Sequence, residues 1–392
     1  MTLLEQLPPH QVGERLRLAR ETANVTQATA AQAIGVARTT LVAIEQGQRK
    51  VRLHEIQRLA QLYHSSVNAL LRVEAVHVDL LPRFRRLTGN NEAADQASDL
   101  MASLAMADVE LESLLGVQRV HNYPTERPLL KGDVRMQAEH DAAELRHWLG
   151  LGMAPIPNLV AVLEMELGVR VYVRRLHASI SGLFAYDASI GACILLNASH
   201  PRERRNQSAG HETAHFIATR HRPEVLHSGA EENSREERYA NAFARALLTP
   251  ARAVMKKFSD FISGSDTLTR KHVIVLAHYF CVSREAMVRR LEELGLTKEG
   301  TWDWFCANGG ITDEQARLVL GDQVLPDGAK LEAERPTTLR LNLLAAEAAR
   351  RGLLSEGQLA RLLRLDRLEL RALLDAYNGE GPEVDNGVAR PS

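Results

Sequence analysis

His211-Glu212-Thr213-Ala214-His215 sets two imidazoles four residues apart, with a carboxylate beside the first. On a helix such residues share a face, so both rings can reach one ion. Zinc accepts neutral imidazole nitrogen, and two helical ligands leave room for a third protein ligand and a water. Glu212 lies beside that water, where it can act as general base in the attack on a peptide carbonyl. A structural metal site would use the histidines but has no need of Glu212, so the intact trio points to chemistry.

Two residues compete to be the third ligand. Reading on gives His211-Glu-x-x-His215-x-x-Ala218-x-x-His221, the metzincin arrangement with Ala218 where Gly is required. That Gly lets the chain leave the helix and swing the last His to the metal. With alanine the helix continues, and His221 falls roughly 100° away from the face of the other two. The alternative is Glu237, in a second helix that starts at Ser234 with acidic residues in its first turn, a good capping arrangement. Asn241, one turn after Glu237, could hold a ligand in place from behind. Glu237 is the stronger candidate.

The runs Cys193-Ile-Leu-Leu-Asn197, Pro201-Arg-Glu-Arg-Arg205, the His211–His215 motif and Glu237-x-x-Ala-Asn-x-Phe-Ala-x-x-Leu-Leu-x-Pro250 together resemble the ImmA/IrrE family of metallopeptidases. The resemblance covers about residues 155–305 and implies that Glu237 completes the zinc ligands. It also implies that an edge strand, 193–197 here, precedes the zinc-binding helix and can pair with an extended substrate. Residues 206–210 depart from the family pattern, which bears on the wall of the pocket. The arginines 202, 204 and 205 could favour an acidic substrate, although a solvated charged face explains them more simply.

A second constellation lies near the N-terminus. Thr26 is a plausible helix cap, Gly35 breaks the chain, and a short helix over 39–46 closes at Gly47. Two short helices joined across a glycine describe a helix-turn-helix. The string Thr26-Gln27-x-x-Ala-Ala-x-x-Ile-Gly35-Val-x-Arg38-Thr-Thr-Leu-x-x-Ile-Glu45-x-Gly47 is similar to the Cro/C1-type (XRE) repressors over residues 12–71. Carried over by position, Arg38, Thr39, Thr40 and Ala43 would face base edges, with Gln27 at the DNA backbone. Arg38 can pair bidentately with guanine, while Arg49 and Lys50 suit phosphates. A helical interaction module that has lost DNA binding is the plainer alternative. Residues 1–72 carry nine Lys or Arg against five Asp or Glu, a slight basic excess hidden by the net charge of −1 for the whole chain.

The remaining sequence must position these two constellations. A chain of 392 residues, 45% hydrophobic and 25% charged, is long enough for two or three domains. Its three cysteines, 193, 281 and 306, are scattered, which argues for a reducing cytoplasm and against a disulfide framework. No apolar run reaches membrane-span length and no signal-peptide pattern opens the chain. Helical patterns run over 91–115, 136–149 and 158–167, a loop over 116–133, and short strands over 170–174, 182–186 and 192–197. Towards the C-terminus, 276–294 and 359–377 each read as two helices joined by a turn, a pattern that also occurs at 59–71. Residues 338–377 admit a second DNA-binding element, but a generic helical hairpin fits better.

The expected fold is mainly α with a small β-sheet: a helix-turn-helix bundle over 10–72, a helical linker over 73–154, an α+β zincin-like metallopeptidase domain over 155–305, a helical region over 306–378 and a polar tail over 379–392. The expected function is a cytoplasmic, DNA-binding transcriptional regulator whose Zn²⁺ endopeptidase cleaves a repressor, a partner or itself, in a stress or mobile-element response. Its partners would be double-stranded operator DNA and a protein substrate, with no membrane and with a homodimer left open. The rival readings are a non-catalytic repressor with a structural or sensing metal, and an antitoxin-like adaptor that only holds a peptide.

Overall fold

The computed structural model describes residues 9–63, 65, 67, 70, 92–220, 234–262, 267–321 and 339–378. His221, the tail over 379–392, residues 73–91 of the expected linker and much of 64–71 lie outside them. The chain divides into two compact units, Met1–Val78 and Asp79–Ser392.

Among its described residues the first unit packs four short helices: α1 (Pro9–Thr22), α2 (Gln27–Ala33), α3 (Arg38–Glu45) and α4 (Leu53–Leu62). Leu16, Ala30, Leu41, Ile44, Ile56 and Leu59 form its core. The Thr26 hydroxyl caps α2 by accepting from the Thr29 N–H at 3.2 Å. Gly47 turns the chain after α3 with φ +70°, and a Cβ there would lie 2.4 Å from the His10 Cα, so the turn demands glycine on two counts. Beneath α3, Glu45 is buried and paired with Arg20 at 2.7 Å.

The described part of the second unit opens on one long helix, α5 (Glu92–Leu115), over the stretch expected to hold a helix or a helix pair. α6 (Val134–Trp148) follows the expected loop, and the short α7 (Leu159–Val162) runs into a π-helical turn over Leu163–Leu167. Three strands come next: β1 (Arg170–Arg174), β2 (Gly182–Asp187) and β3 (Gly191–Asn197). The helices α8 (Arg202–Thr219) and α9 (Arg235–Leu248) pack against each other, α9 also against α6, and α8 against β2 and β3. α10 (Ala251–Ile262), α11 (Arg270–Phe280), α12 (Arg284–Glu293), α13 (Thr301–Ala307) and α14 (Asp313–Leu320) continue the unit, and α15 (Leu339–Arg350), α16 (Glu356–Leu363) and α17 (Arg367–Asn378) end it. No described helix is long and apolar enough to cross a membrane. The architecture is mainly α with one small sheet.

The sheet has the order β1-β3-β2, with β3 parallel to β1 and antiparallel to β2. This corrects the expectation of an edge strand at 193–197. β3 is central and buried at every position, because its apolar run Ala192–Leu196 has helices or strands on all sides. Among the described strands, the edge strand beside α8 is β2.

α5 joins the sheet to the C-terminal helices through a buried ion cluster. Arg170 on β1 pairs with Asp108 at 3.0 Å and Glu112 at 2.7 Å, and Arg119 holds the same two carboxylates at 2.8 and 2.9 Å. Arg340 on α15 reaches Glu112 at 2.8 Å. The helical pair α16–α17 turns at Arg364, whose φ is 51°, and packs on α5 and α15 as a hairpin.

Candidate metal centre

α8 is buried along most of its length, from Arg205 to Ala218, so it shows little apolar periodicity. Gly210 explains how α9 comes close enough to share a site with it. A Cβ on Gly210 would lie 3.1 Å from the Ala244 Cβ and 3.2 Å from the Ala244 Cα, so the two helices meet backbone to backbone. At the start of α9 the Ser234 hydroxyl accepts from the Glu237 N–H at 3.1 Å, fixing the first turn that carries Glu237.

These two constraints bring His211, His215 and Glu237 together, with one donor atom from each lying within 4.8 Å of the others. The two Nε2 atoms are 3.2 Å apart, and the Glu237 oxygens lie 3.2 Å from His211 Nε2 and 3.6 Å from His215 Nε2. Ligands about 2.0–2.1 Å from a tetrahedral zinc are separated by roughly 3.3–3.4 Å, so these spacings are those of three corners of such a site. His211 Nδ1 faces Asn241 Oδ1 at 3.1 Å. An amide oxygen there accepts from Nδ1–H, which leaves the Nε2 lone pair aimed at the centre.

The electrostatics suit a cation. Burial, reinforced by the charge on His211, pushes the His215 imidazole down to about 3, so this ring is neutral and ready to coordinate. Burial acts downward on His211 too, but the hydrogen bond to Glu237 and the charges of Glu212 and Glu237 outweigh it and raise this imidazole. Burial raises Glu212 to about 7, opposed by His211. Glu237 is held below its ordinary value chiefly by its hydrogen bond to His211, against the effect of burial. Two carboxylates therefore draw positive charge into the space between the imidazoles, as a divalent ion would supply.

Glu212 reaches towards the sheet from the flank of the histidine face, within electrostatic range of His211 and Glu237. Its Oε1 lies 2.9 Å from where a Cβ on Gly182 would stand, so the first residue of β2 must be glycine for the carboxylate to rest in that place. Nothing local in the sequence marks Gly182 or Gly210 as parts of the site, whereas Ala244 belongs to the motif that carries Glu237. The departure at residues 206–210 also has a structural role: the Asn206 side chain accepts from the Leu159 N–H at 3.2 Å and donates to the Pro157 carbonyl at 3.1 Å. Of the three clustered arginines, Arg205 is buried and Arg202 half-buried, so only Arg204 is exposed as a solvated face requires.

In the first unit the expected DNA-contacting residues gather around α3. Arg38 and Thr39 are exposed at its start, and Thr40 and Ala43 are half-exposed along it. Gln27 bridges inward, donating to Glu45 at 3.0 Å and accepting from Arg38 at 3.3 Å. Lys50 is exposed, whereas Arg49 holds the buried Glu55 at 2.9 Å, and Glu55 in turn accepts from the Arg52 N–H at 2.8 Å.

Comparison with known proteins agrees with this division. Residues 164–292 match the IrrE N-terminal-like domain, a metallopeptidase family, and residues 11–72 match a helix-turn-helix domain. No curated protein is matched by the chain. The crystal structure of ComR from Streptococcus suis is similar over 94% of each chain at 11% identity, with a TM-score of 0.16, too low to carry an argument. The chain therefore joins a helix-turn-helix domain to an IrrE N-terminal-like domain.

Proposed function

We propose that this chain is a DNA-binding regulator whose second unit is a zinc endopeptidase acting on a repressor, either a partner or the chain itself. The observation that carries the reading is the convergence of His211, His215 and Glu237 at tetrahedral spacing, with the buried carboxylate of Glu212 beside them. His211, His215 and Glu237 would hold the ion, and Asn241 would fix the His211 ring. Zinc bound there supplies a Lewis acid for a peptide carbonyl.

The chain's own residues do the rest. Glu212, buried and high in pKa, takes a proton from the attacking water and delivers it to the leaving amine. Gly182 leaves the room in which that carboxylate stands. In the first unit, Arg38, Thr39, Thr40 and Ala43 read bases, while Gln27 and Lys50 meet the DNA backbone. Such a protein works in the cytoplasm, where its operator lies.

Glu212→Gln tests the catalytic half, because it keeps shape and removes basicity. Zinc content and operator binding should persist, while proteolysis should fall by about 10²–10⁴, the usual contribution of a placed general base. Repressor fragments are followed by blot in cells carrying each form. Equal fragments in both strains, or none in either, would replace the enzyme with a metal-sensing repressor or adaptor.

A further inference from the structure

By sequence alone α16–α17 fits a generic hairpin, but its turn is that of α2–α3. In α2–α3 the chain reaches Gly35, with φ +70°, nine residues after the cap at Thr26, and α3 starts three residues later at Arg38. In α16–α17 the Ser355 hydroxyl accepts from the Gln358 N–H at 3.3 Å, and nine residues on Arg364 has φ 51°. α17 then starts at Arg367, again three residues after the turn. Counted from the two turns the buried positions coincide: Ile34, Leu41 and Ile44 in the first pair, Leu363, Leu370 and Leu373 in the second. What faces outward corresponds too. Arg367, Leu368 and Ala372 stand where Arg38, Thr39 and Ala43 stand, and all three are exposed. The pair is fastened on its α16 side, where Arg174 on β1 donates to the Leu363 carbonyl at 2.7 Å and Arg364 donates to Ser103 on α5 at 2.9 Å. Its acids are engaged within the pair. Asp366 accepts from the Leu368 and Glu369 N–H groups at 2.8 Å, Glu369 accepts from the Asp366 N–H at 3.1 Å, and Glu356 pairs with Arg371 at 3.2 Å. Arg367 has no acidic partner among the described residues. An outward face of this kind does not follow from the turn alone. Cys281 makes the same left-handed turn between α11 and α12, with φ 55°, yet there Arg284 pairs with Asp313 and the helices α13 and α14 pack on the pair.

We propose that α16–α17 is a second helix-turn-helix and that α17 enters the major groove of duplex DNA. Arg367, at the start of α17, meets a guanine edge through two nitrogens, and Leu368 packs on a thymine methyl. A protein partner would need an apolar patch, whereas Leu368 is set among Arg367, Glu369 and Arg371. Residues 355–378 carry four Arg against four Asp or Glu, and Thr26–Gly47 carries one of each, so the second pair is no less suited to DNA by charge than the first. This site depends on neither the metal centre nor α3.

The full chain carrying Arg38→Glu and Lys50→Glu, which remove the contacts proposed for the first unit, is titrated by fluorescence anisotropy. The probe is a labelled duplex of mixed sequence, about 30 base pairs or roughly three helical turns long. This chain should still bind at about 50 mM salt and weaken as salt rises. Adding Arg367→Glu should weaken the remaining binding by about tenfold or more, with the melting temperature unchanged. Benzoylphenylalanine placed at Leu368 of the otherwise native chain should crosslink to the duplex on irradiation, and the same group at Leu318 on α14, which is as exposed, should not. No binding by the first-unit variant, binding that Arg367→Glu leaves unchanged, or a Leu368 crosslink to protein in place of DNA overturns the proposal. Loss of all binding on the first-unit substitutions leaves the reading of α3 standing and removes only the second site.

Discussion

Asn241 is the side chain whose contribution can be measured most cleanly. It touches the site only through His211 Nδ1, at 3.1 Å, so its removal leaves all three proposed ligands in place. Asn241→Ala should weaken zinc affinity by about 10–100-fold, the usual effect of losing an orienting partner. Competition with a fluorescent chelator measures this, and an unchanged affinity would show that packing alone orients the ring. In the first unit, the geometry separates two arginines that look alike in sequence. Arg38 is exposed at the start of α3, and Arg38→Ala should cost about 1–3 kcal/mol of operator binding in an anisotropy titration. Arg49 holds Glu55, whose side chain is only 2% exposed. Arg49→Ala should therefore destabilise the bundle by about 1–3 kcal/mol, because a buried acceptor loses its partner. Denaturant unfolding of the first unit follows that loss, and an unchanged midpoint would return Arg49 to a purely phosphate-binding role.

At the level of elements, the site depends on how closely α8 and α9 approach. Gly210→Val would put two methyl groups where Ala244 already stands, so it should cost about 1–3 kcal/mol by overpacking and loosen metal binding as α9 moves out. Thermal unfolding with and without excess zinc separates the two effects. If both melting temperature and zinc stoichiometry stay at native values, the helices do not need this contact. The strand at 193–197, expected at an edge, is central for a reason that also lies between elements. An apolar strand can lie at an edge under a covering helix or at the centre of a sheet, and only the pairing on both sides of β3 decides between them. The helix at 91–115 likewise has an apolar surface that suits either a link or a packed element. Its place against β1, β3, α15 and α16 became visible only once those partners were assembled.

Across the second unit, buried ion pairs couple elements far apart in sequence. Burial alone would raise the Glu112 carboxyl, but Arg170 and Arg119 outweigh it and hold the group below its ordinary value. Arg245 and Arg290 do the same for Glu293. A carboxylate lowered in the folded state contributes stability that is complete above the unfolded value of about 4.3 and is lost as pH falls through the folded value. The unit should therefore lose stability below about pH 5, and Glu112→Gln should be less stable at neutral pH with a flatter acid limb. Urea unfolding from about pH 7 down to pH 3 measures both slopes. A variant as steeply acid-sensitive as the native chain would remove Glu112 from the account.

Much of the centre was legible in the residues themselves. The four-residue spacing of His211 and His215 sets them on one helical face, and the capping chemistry of Thr26 and Ser234 marks where two helices begin. These are local rules, decided by backbone geometry within a turn or two. Three things depended on the tertiary structure. Glu237 meets the histidines because Gly210 and Ala244 let two helices touch; the edge strand is β2 because β3 is paired on both sides; and Glu212 rests against Gly182, a residue thirty positions earlier with no local mark of its role. Each of these is a contact between residues distant in sequence, and its energy depends on shape and burial, which no spacing along the chain encodes.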